Sequence, residues 1–495
     1  MPNLLYRLGM IGPSERQVSL FYVAFGAEAS LIKDDLLEPI DDLLKDAQLI
    51  EAVRDALGRR CPKSSKTGRN GIAPDRLLRL VVLKHLKQWS FRDLEREVRS
   101  SLVYRRFCRF DSDRIPHHAN LSRSFAALSA PTQRLIHERV VALAQEHKVA
   151  SGKKLRTDTT VVETNIHYPS DSTLLRDGVR VLSRVLERIA KQCVRNALIV
   201  RDRSRAVKHR VIEIHRGAKL LGERGRERRK VAYGKLLTLT RTVHRQARHT
   251  VSAIKSGDLR LKRQSAVVDR DIAELEHFLP LVEKVMAQTK ARVFGGDNYH
   301  EGKVLSLFEP HSHAIRKGKV HKATEFGRLV RVDEVENGII SNVEVCDGNP
   351  ADNTQWRPAI EQHKALFGHA PRMAVGDRGF YSQQNERDAK ALGVKHVALP
   401  MRGKLSTTRR KHQKQRWFRN AHHFRAGVEN RIATLKHRFG LLRAHYKDEH
   451  GFVRYVALGV VTNNLVSIAR AQRKKDKKEK QSSAKRKNAT RTRQR

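Results

Sequence analysis

Lysine and arginine number 100 in this 495-residue chain against 52 aspartate and glutamate, a formal charge of +48. A compact fold carrying that excess repels itself unless a polyanion neutralises it. Hydrophobic residues make up 39% of the chain, enough for a buried core, so wholesale disorder is excluded. The chain must therefore fold around apolar segments while holding a strongly basic surface, and nucleic acid is the partner this balance points to. At about 100–200 residues per domain, the length suggests about three domains. No stretch approaches the ~20 uncharged apolar residues that span a bilayer. The most apolar runs, Leu20–Ala27 and Val456–Ala469, are short, and the second carries Asn463 and Asn464. No charged-then-apolar leader pattern is present, so no secretory signal and no membrane partner are expected. Cys61, Cys108, Cys193 and Cys346 are scattered without metal-ligand spacing and read as reduced thiols.

Four stretches differ in texture. A lead segment covers 1–33. From 34 to 150 the chain reads as short helices, with Leu36, Leu37, Ile40, Leu43 and Leu44 at helical spacing, then Leu77, Leu78, Val81, Val82 and His85. Pro74 and Asp75 suit a first helical turn, Ser90 is an N-cap, and another helix starts near Asn120. Short basic helices with tight connections suit a helical DNA-binding domain, and equally any small bundle. Arg92, Arg96 and Arg123 are its candidate DNA contacts.

The segment 151–470 reads as an α/β domain interrupted by a basic helical insertion at 173–290. Strands are predicted at Leu155–Thr164, Gly327–Val332, Gly338–Val345, Met373–Val375 and Val397–Leu399, and helices at Gln383–Leu392, Phe424–Phe439 and Phe452–Arg470. Within Arg201–Thr250 there are 16 Lys and Arg against 4 Asp and Glu, which suits phosphate contacts or a solvated helical face. The tail 471–495, with 12 Lys and Arg against 2 acids, is expected to be disordered when free and to act as a phosphate-binding arm.

In so basic a chain, acids at strand ends need a reason, because a buried carboxylate is costly unless paired, hydrogen-bonded or bound to a cation. Asp158 follows Leu155-Arg-Thr, Asp377 ends Met373-Ala-Val-Gly, and Glu429 lies in a predicted helix. Three converging acids hold Mg2+ or Mn2+ through hard oxygen ligands, and two such ions promote phosphoryl displacement. Each acid has a plainer reading: Asp158 as a turn cap, Asp377 as a turn aspartate beside glycine, and Glu429 as an ion pair with Arg425. Glu163, Asp297, Asp347 and Asp352 also fall near predicted strand ends or turns, and Asp297 would replace Asp158 if the latter failed. His311, His313, His422 and His423 lack two further well-spaced partners, so zinc is not expected.

The ordered triad resembles that of DDE-type insertion-sequence transposases. One large group of these enzymes carries Tyr-x2-Arg-x3-Glu-x6-Lys, and this chain has His422-x2-Arg425-x3-Glu429-x6-Lys436, with histidine in place of tyrosine. Asp377-Arg-Gly-Phe-Tyr is similar to the family's second-aspartate motif and Leu155-Arg-Thr-Asp158-Thr-Thr-Val to its first. Leu77–Phe125, Ile315-Arg-Lys-Gly-Lys and Gly348-Asn-Pro-Ala-Asp-Asn also look like family sequence, so the likeness runs over about 34–470. It is nearest in character to long members of the not-classified-yet group, whose first two aspartates lie far apart.

The resemblance implies a ribonuclease-H-like core, a mixed sheet flanked by helices, in which Asp158, Asp377 and Glu429 hold two Mg2+ or Mn2+ ions. It implies that water cuts DNA at an element end and that the freed 3′-hydroxyl then attacks target DNA. Arg425 and Lys436 would hold phosphates, since positions −4 and +7 share a helix face with Glu429. The implied partners are double-stranded DNA at element ends and target, and a homodimer or higher oligomer on DNA. The implied location is the bacterial cytoplasm, at the nucleoid. A non-catalytic nucleic-acid-binding protein, including a catalytically decayed transposase, is the alternative.

Overall fold

The computed structural model describes residues 32–60, 71–110, 113–194, 197–263, 265–298, 300–316, 323–401 and 403–493. The run Leu20–Ala27, Cys61 and the Lys317-Gly-Lys part of the motif at Ile315 lie outside them. The chain divides into two compact units, Met1–Thr164 with Ile315–Arg495, and Asn165–Ala314.

Among the described residues, the first unit opens with seven helices: α1 (Leu37–Leu43), α2 (Ala47–Arg60), α3 (Pro74–Lys87), α4 (Phe91–Ser100), α5 (Leu102–Phe107), α6 (His118–Ala126) and α7 (Ala130–Glu146). Local chemistry sets their ends. Pro74 opens α3, where its missing N–H costs nothing. A capping box opens α4: the Ser90 hydroxyl accepts from Asp93 N at 3.1 Å and Ser90 N donates to the Asp93 carboxylate. The carboxylate of Glu95 fixes the start of α6 by accepting from His118 N at 2.7 Å, two residues before the expected start at Asn120.

Strand β1 (Lys154–Thr164) follows, and the chain then enters the second unit. There α8 (Asp171–Gln192), α9 (Ser204–Ala218), α10 (Gly222–Lys255) and α11 (Ala266–Gly295) pack around a core that includes Leu175, Leu182, Val185, Leu236, Leu275 and Val285. This helical unit is wider than the expected insertion at 173–290. The 34-residue helix α10 keeps Arg224, Arg228, Lys235, Arg241 and Arg245 exposed while burying Leu236, Val243 and Ala247.

The chain returns through β2 (His313–Ile315), β3 (Glu325–Glu334), β4 (Ile340–Val345), α12 (Trp356–Phe367), β5 (Met373–Val375), α13 (Gln383–Ala391), β6 (His396–Ala398), α14 (Thr407–Lys414), α15 (Arg416–Arg438), β7 (Arg443–Ala444) and α16 (Glu449–Arg493). The sheet order is β2-β3-β1-β5-β6, with β4 on β3 and β7 on β1. β1 runs antiparallel to β3 and parallel to β5, and β6 is parallel to β5. This mixed sheet flanked by helices is the α/β architecture expected.

One apolar cluster joins the N-terminal helices, the sheet and the last helix, through Leu77, Val81, Val140, Leu155, Val332, Ala374, Leu435, Val460 and Ile468. The boundary expected near 150 is thus a change of secondary structure inside one compact unit. Helix α16 runs on to Arg493, through the segment for which the sequence predicts disorder when free. By length and composition alone its stretch Glu449–Glu479 could cross a membrane, but 78% of its most apolar window is buried in the fold. Asn463 and Asn464, polar in this apolar run, are bonded to the sheet: Asn463 donates to Gly338 O at 3.1 Å, and Asn464 pairs with both backbone groups of Ile340 at 2.9 and 2.8 Å.

Candidate active site

The parallel pairing of β1 with β5 places Arg156 opposite Val375. Asp158 and Asp377 each stand two residues beyond that pair. Side chains alternate along a strand, so Asp158 shares the face of Arg156. That face is covered by α15, because an Arg156 guanidinium N–H donates to Phe424 O and its carbon lies 4.6 Å from the centre of the Phe424 ring. Asp377 lines an open cavity of about 620 Å3 on the same side, with Arg378, Phe418, Arg419, His422 and Arg425. Both aspartates are half-buried, and each accepts a local backbone bond: Thr159 N to Asp158 Oδ1 at 2.7 Å, and Gly379 N to Asp377 Oδ1 at 2.6 Å.

Two aspartates and the helix of Glu429 are therefore brought together, as the spacing in sequence could not show. The glutamate side chain itself is largely exposed and pairs within its own helix. Its side chain is 72% exposed, and Oε1 lies 3.8 Å from Arg425 Nη2, the plainer ion pair foreseen from the sequence. Among the described residues, the three acids do not bring ligand oxygens within 4.8 Å of one another.

Sequence reasoning missed what fixes α15 over the sheet. Glu334 on β3, fully buried, takes the Arg156 fork at 2.8 Å (Nε) and 2.6 Å (Nη2), and Arg431 Nε reaches Glu334 Oε1 at 3.2 Å. Arg431 also donates to Asn463 Oδ1 at 3.1 Å. This buried carboxylate thus joins the strand of Asp158 to the helix of Glu429 and, through Arg431, to α16. Gly427 makes room for it, because a Cβ there would collide with the Arg156 guanidinium. The available signal was Arg156 inside the predicted strand Leu155–Thr164; Glu334 falls two residues beyond the predicted strand Gly327–Val332.

The cations fall into two groups. Arg425 is three-quarters buried, lines the cavity beside Asp377, and its Nε has no hydrogen-bond partner among the described residues. His422 is held below the ordinary imidazole range by burial, then by Arg425, Arg378 and His423. Lys436 is half-buried in the last turn of α15 and is not among the cavity-lining residues. Arg92, Arg96 and Arg123 are exposed on α4 and α6. Arg96 pairs with Asp93 at 2.9 Å and Glu97 at 3.0 Å, and Arg123 donates to Asn120 Oδ1.

The other acids separate cleanly. Glu163 is buried against Arg443 at 2.8 Å, and Asp347 is exposed, 3.1 Å from Arg328. Asp297 belongs to the helical unit, exposed beyond the end of α11 and 4.0 Å from His300. Asp352 lies close to Asp377. The described residues with three possible metal ligands in one group are Glu95, His117 and His118. That carboxylate is already engaged as the α6 cap, by the His118 ring at 2.9 Å and by Arg99. Cys108, Cys193 and Cys346 are buried free thiols, and burial pushes each above its ordinary value.

Two family models match this chain: a transposase domain (DUF772) over residues 26–126 and a transposase DDE domain over residues 300–465. No curated protein matches, nor does any solved structure. The DDE match contains Asp377 and Glu429 and begins after Asp158, which the helical unit separates from it in sequence and β1 returns to the same sheet. With both matches in chain order on a mixed α/β sheet, the chain belongs to the DDE-type insertion-sequence transposases.

Proposed function

We propose that this transposase binds the ends of a mobile element and cuts and joins DNA strands through Asp158, Asp377 and Glu429, with Mg2+ or Mn2+, as two ions. The observation that carries the reading is the placement of Asp158 and Asp377 two residues past one parallel strand pair, on the face covered by the helix of Glu429. DDE transposase domains use divalent metal ions. The donor set fits one: the acids offer hard carboxylate oxygens, and Gly379 leaves open the space beside Asp377 that a Cβ would fill, 2.8 Å from Oδ1. When bound, such a metal supplies Lewis acidity to an in-line displacement at phosphorus.

The chain's own groups do the remaining work. Arg419 and Arg425 line the cavity beside Asp377 and hold a DNA phosphate there. A phosphate on Arg425 competes with Glu429 for the guanidinium, so binding of DNA releases the glutamate to swing toward the two aspartates. Neutral His422 adds a hydrogen-bonding group without further charge. Arg92, Arg96 and Arg123, the basic face of α10, Lys436 and the tail 471–495 supply phosphate contacts along duplex DNA, at element ends and target. Synapsis of two ends requires a dimer or larger assembly, working at the bacterial nucleoid in the cytoplasm.

The test is magnesium-dependent nicking and strand transfer on DNA carrying the element ends, with binding measured separately. Asp158→Ala, Asp377→Ala and Glu429→Gln are each expected to lower cleavage at least a hundredfold at unchanged DNA affinity. If all three cleave like the wild type, the assignment is wrong. A second reading, a catalytically decayed DNA-binding protein, draws on the exposure of Glu429 and its ion pair with Arg425. It requires binding without cleavage in the unmutated chain.

A further inference from the structure

A second cavity, of about 850 Å3, opens in the first unit where the end of α7, the turn between β3 and β4, α15 and α16 meet. It shares no lining residue with the cavity beside Asp377. Seven lysines and arginines line it against two acids, Asp42 and Asp476, so its walls carry a large positive excess. Asp42 is already taken by Lys45 at 2.6 Å, and Arg473 by Asp35 at 2.5 Å. Lys148, Arg470, Lys474 and Lys478 pair with no carboxylate among the described residues.

Like charges crowd one another here. The Arg470 guanidinium is held below its ordinary range by burial, then by Arg438 and Arg431. Arg431 directs N–H groups inward to Glu334 and Asn463, whereas Arg470 is exposed. Cations gathered with too few acids repel one another unless an anion from outside the chain neutralises them. Their spacing indicates what kind of anion fits. Arg470, Lys474 and Lys478 recur every four residues, so they share one face of α16 and span about 12 Å of it. A row of exposed cations suits a chain of phosphates better than one compact anion. The apolar lining residues are Pro39, Val149 and Ala471, so the cleft offers little to a base or an apolar side chain.

We infer that this cleft binds the phosphodiester backbone of a second segment of duplex DNA, through Lys148, Arg470, Lys474 and Lys478. The inference goes beyond strand cutting and holds whichever acids cut. Because the two cavities are separate, DNA can occupy both at once.

The test is binding of random-sequence duplex to the full chain, by fluorescence anisotropy across a salt series. One variant combines Lys148→Gln, Arg470→Gln and Lys474→Gln. The control neutralises three exposed lysines elsewhere in the same unit, by Lys364→Gln, Lys390→Gln and Lys395→Gln. The cleft variant is expected to bind at least tenfold more weakly than the control at ~0.1 M salt. Its log–log slope should be shallower than wild type by about 2–3, from three phosphate contacts at ~0.9 each. Equal losses in the two variants would overturn the inference, because positive charge anywhere would then serve. A readout on the wild type guards against misfolding: lysine acetylation followed by mass spectrometry. Duplex DNA should shield Lys148, Lys474 and Lys478 and leave Lys364 reactive. Equal shielding by inorganic pyrophosphate would overturn the DNA assignment in favour of a small-anion site, and no shielding by either would overturn the site.

Discussion

Glu334→Gln removes one negative charge from the place where the strand of Asp158 meets the helix of Glu429. Glu334 has no exposed side-chain surface, whereas its partners Arg156 and Arg431 keep 11% and 22% of theirs. Removing one member of a buried ion pair costs about 3–5 kcal/mol, because the remaining charge is left unpaired. Glutamine keeps an acceptor oxygen, and solvent reaches part of Arg431, so the low end applies, about 3 kcal/mol. With two compact units, one global unfolding energy is not defined, but local opening energies are. The assay is amide hydrogen exchange on the full chain. Exchange of the β1 amides around Arg156–Thr160 should quicken about a hundredfold, since each 1.4 kcal/mol is a factor of ten. Amides of α10, in the other unit, should not change. Because Arg156 also holds Phe424 O, strand cleavage should fall together with the protection of α15. Exchange in β1 within twofold of wild type would refute the assignment of Glu334 as the joint between strand and helix.

Other substitutions and conditions test the rest. His137 and His363 are both held down at about 4 by burial, while each donates a ring N–H to one backbone carbonyl, Ile340 O and Gly152 O. The unfolded chain binds more protons than the folded one between about 4 and 6.5, so this stability is present above pH 6.5 and is lost as pH falls toward 4. Melting temperatures measured across that window should drop, and His137→Gln should flatten the slope. Gly427→Ala places a methyl against the Arg156 guanidinium, so cleavage should fall more than tenfold while filter-binding affinity for DNA stays within a few-fold. Ser90→Ala deletes a capping box and should destabilise α4 by about 1 kcal/mol, read as faster exchange of its first-turn amides. DNA affinity by fluorescence anisotropy should fall linearly on a log–log plot against salt, and removing 471–495, with 12 Lys and Arg, should make that line shallower.

Much of the fold was legible because its cause is local. The β-branched run at β1, the capping box at Ser90, Pro74 at the start of α3 and the glycine-flanked Asp377 were each set by residues within a few positions of one another. The basic stretch between the first two acids was legible as a helical insertion for the same reason, although its unit runs from Asn165 to Ala314. Illegible features depended on partners far away in sequence. Arg156 finds Glu334 178 residues on, and Asp352 finds Thr159 193 residues back. An isolated arginine in a strand gives no sign of which carboxylate will neutralise it.

What the sequence determines by itself is the chemistry available: a large positive charge suited to a polyanion, a few acids set at strand ends and on one helix, and the spacing from His422 to Lys436. Composition and short-range spacing are properties of the chain before it folds, so they can be read there. Only the tertiary structure decides which carboxylates share a place. Register between β1 and β5 aligns Asp158 with Asp377, the Glu334 joint ties α15 to β1, and Arg425 pairs with Glu429. The reason is electrostatic as much as geometric. Like charges do not gather by sequence preference, and strands bearing them are aligned only where pairing and buried ion pairs impose it.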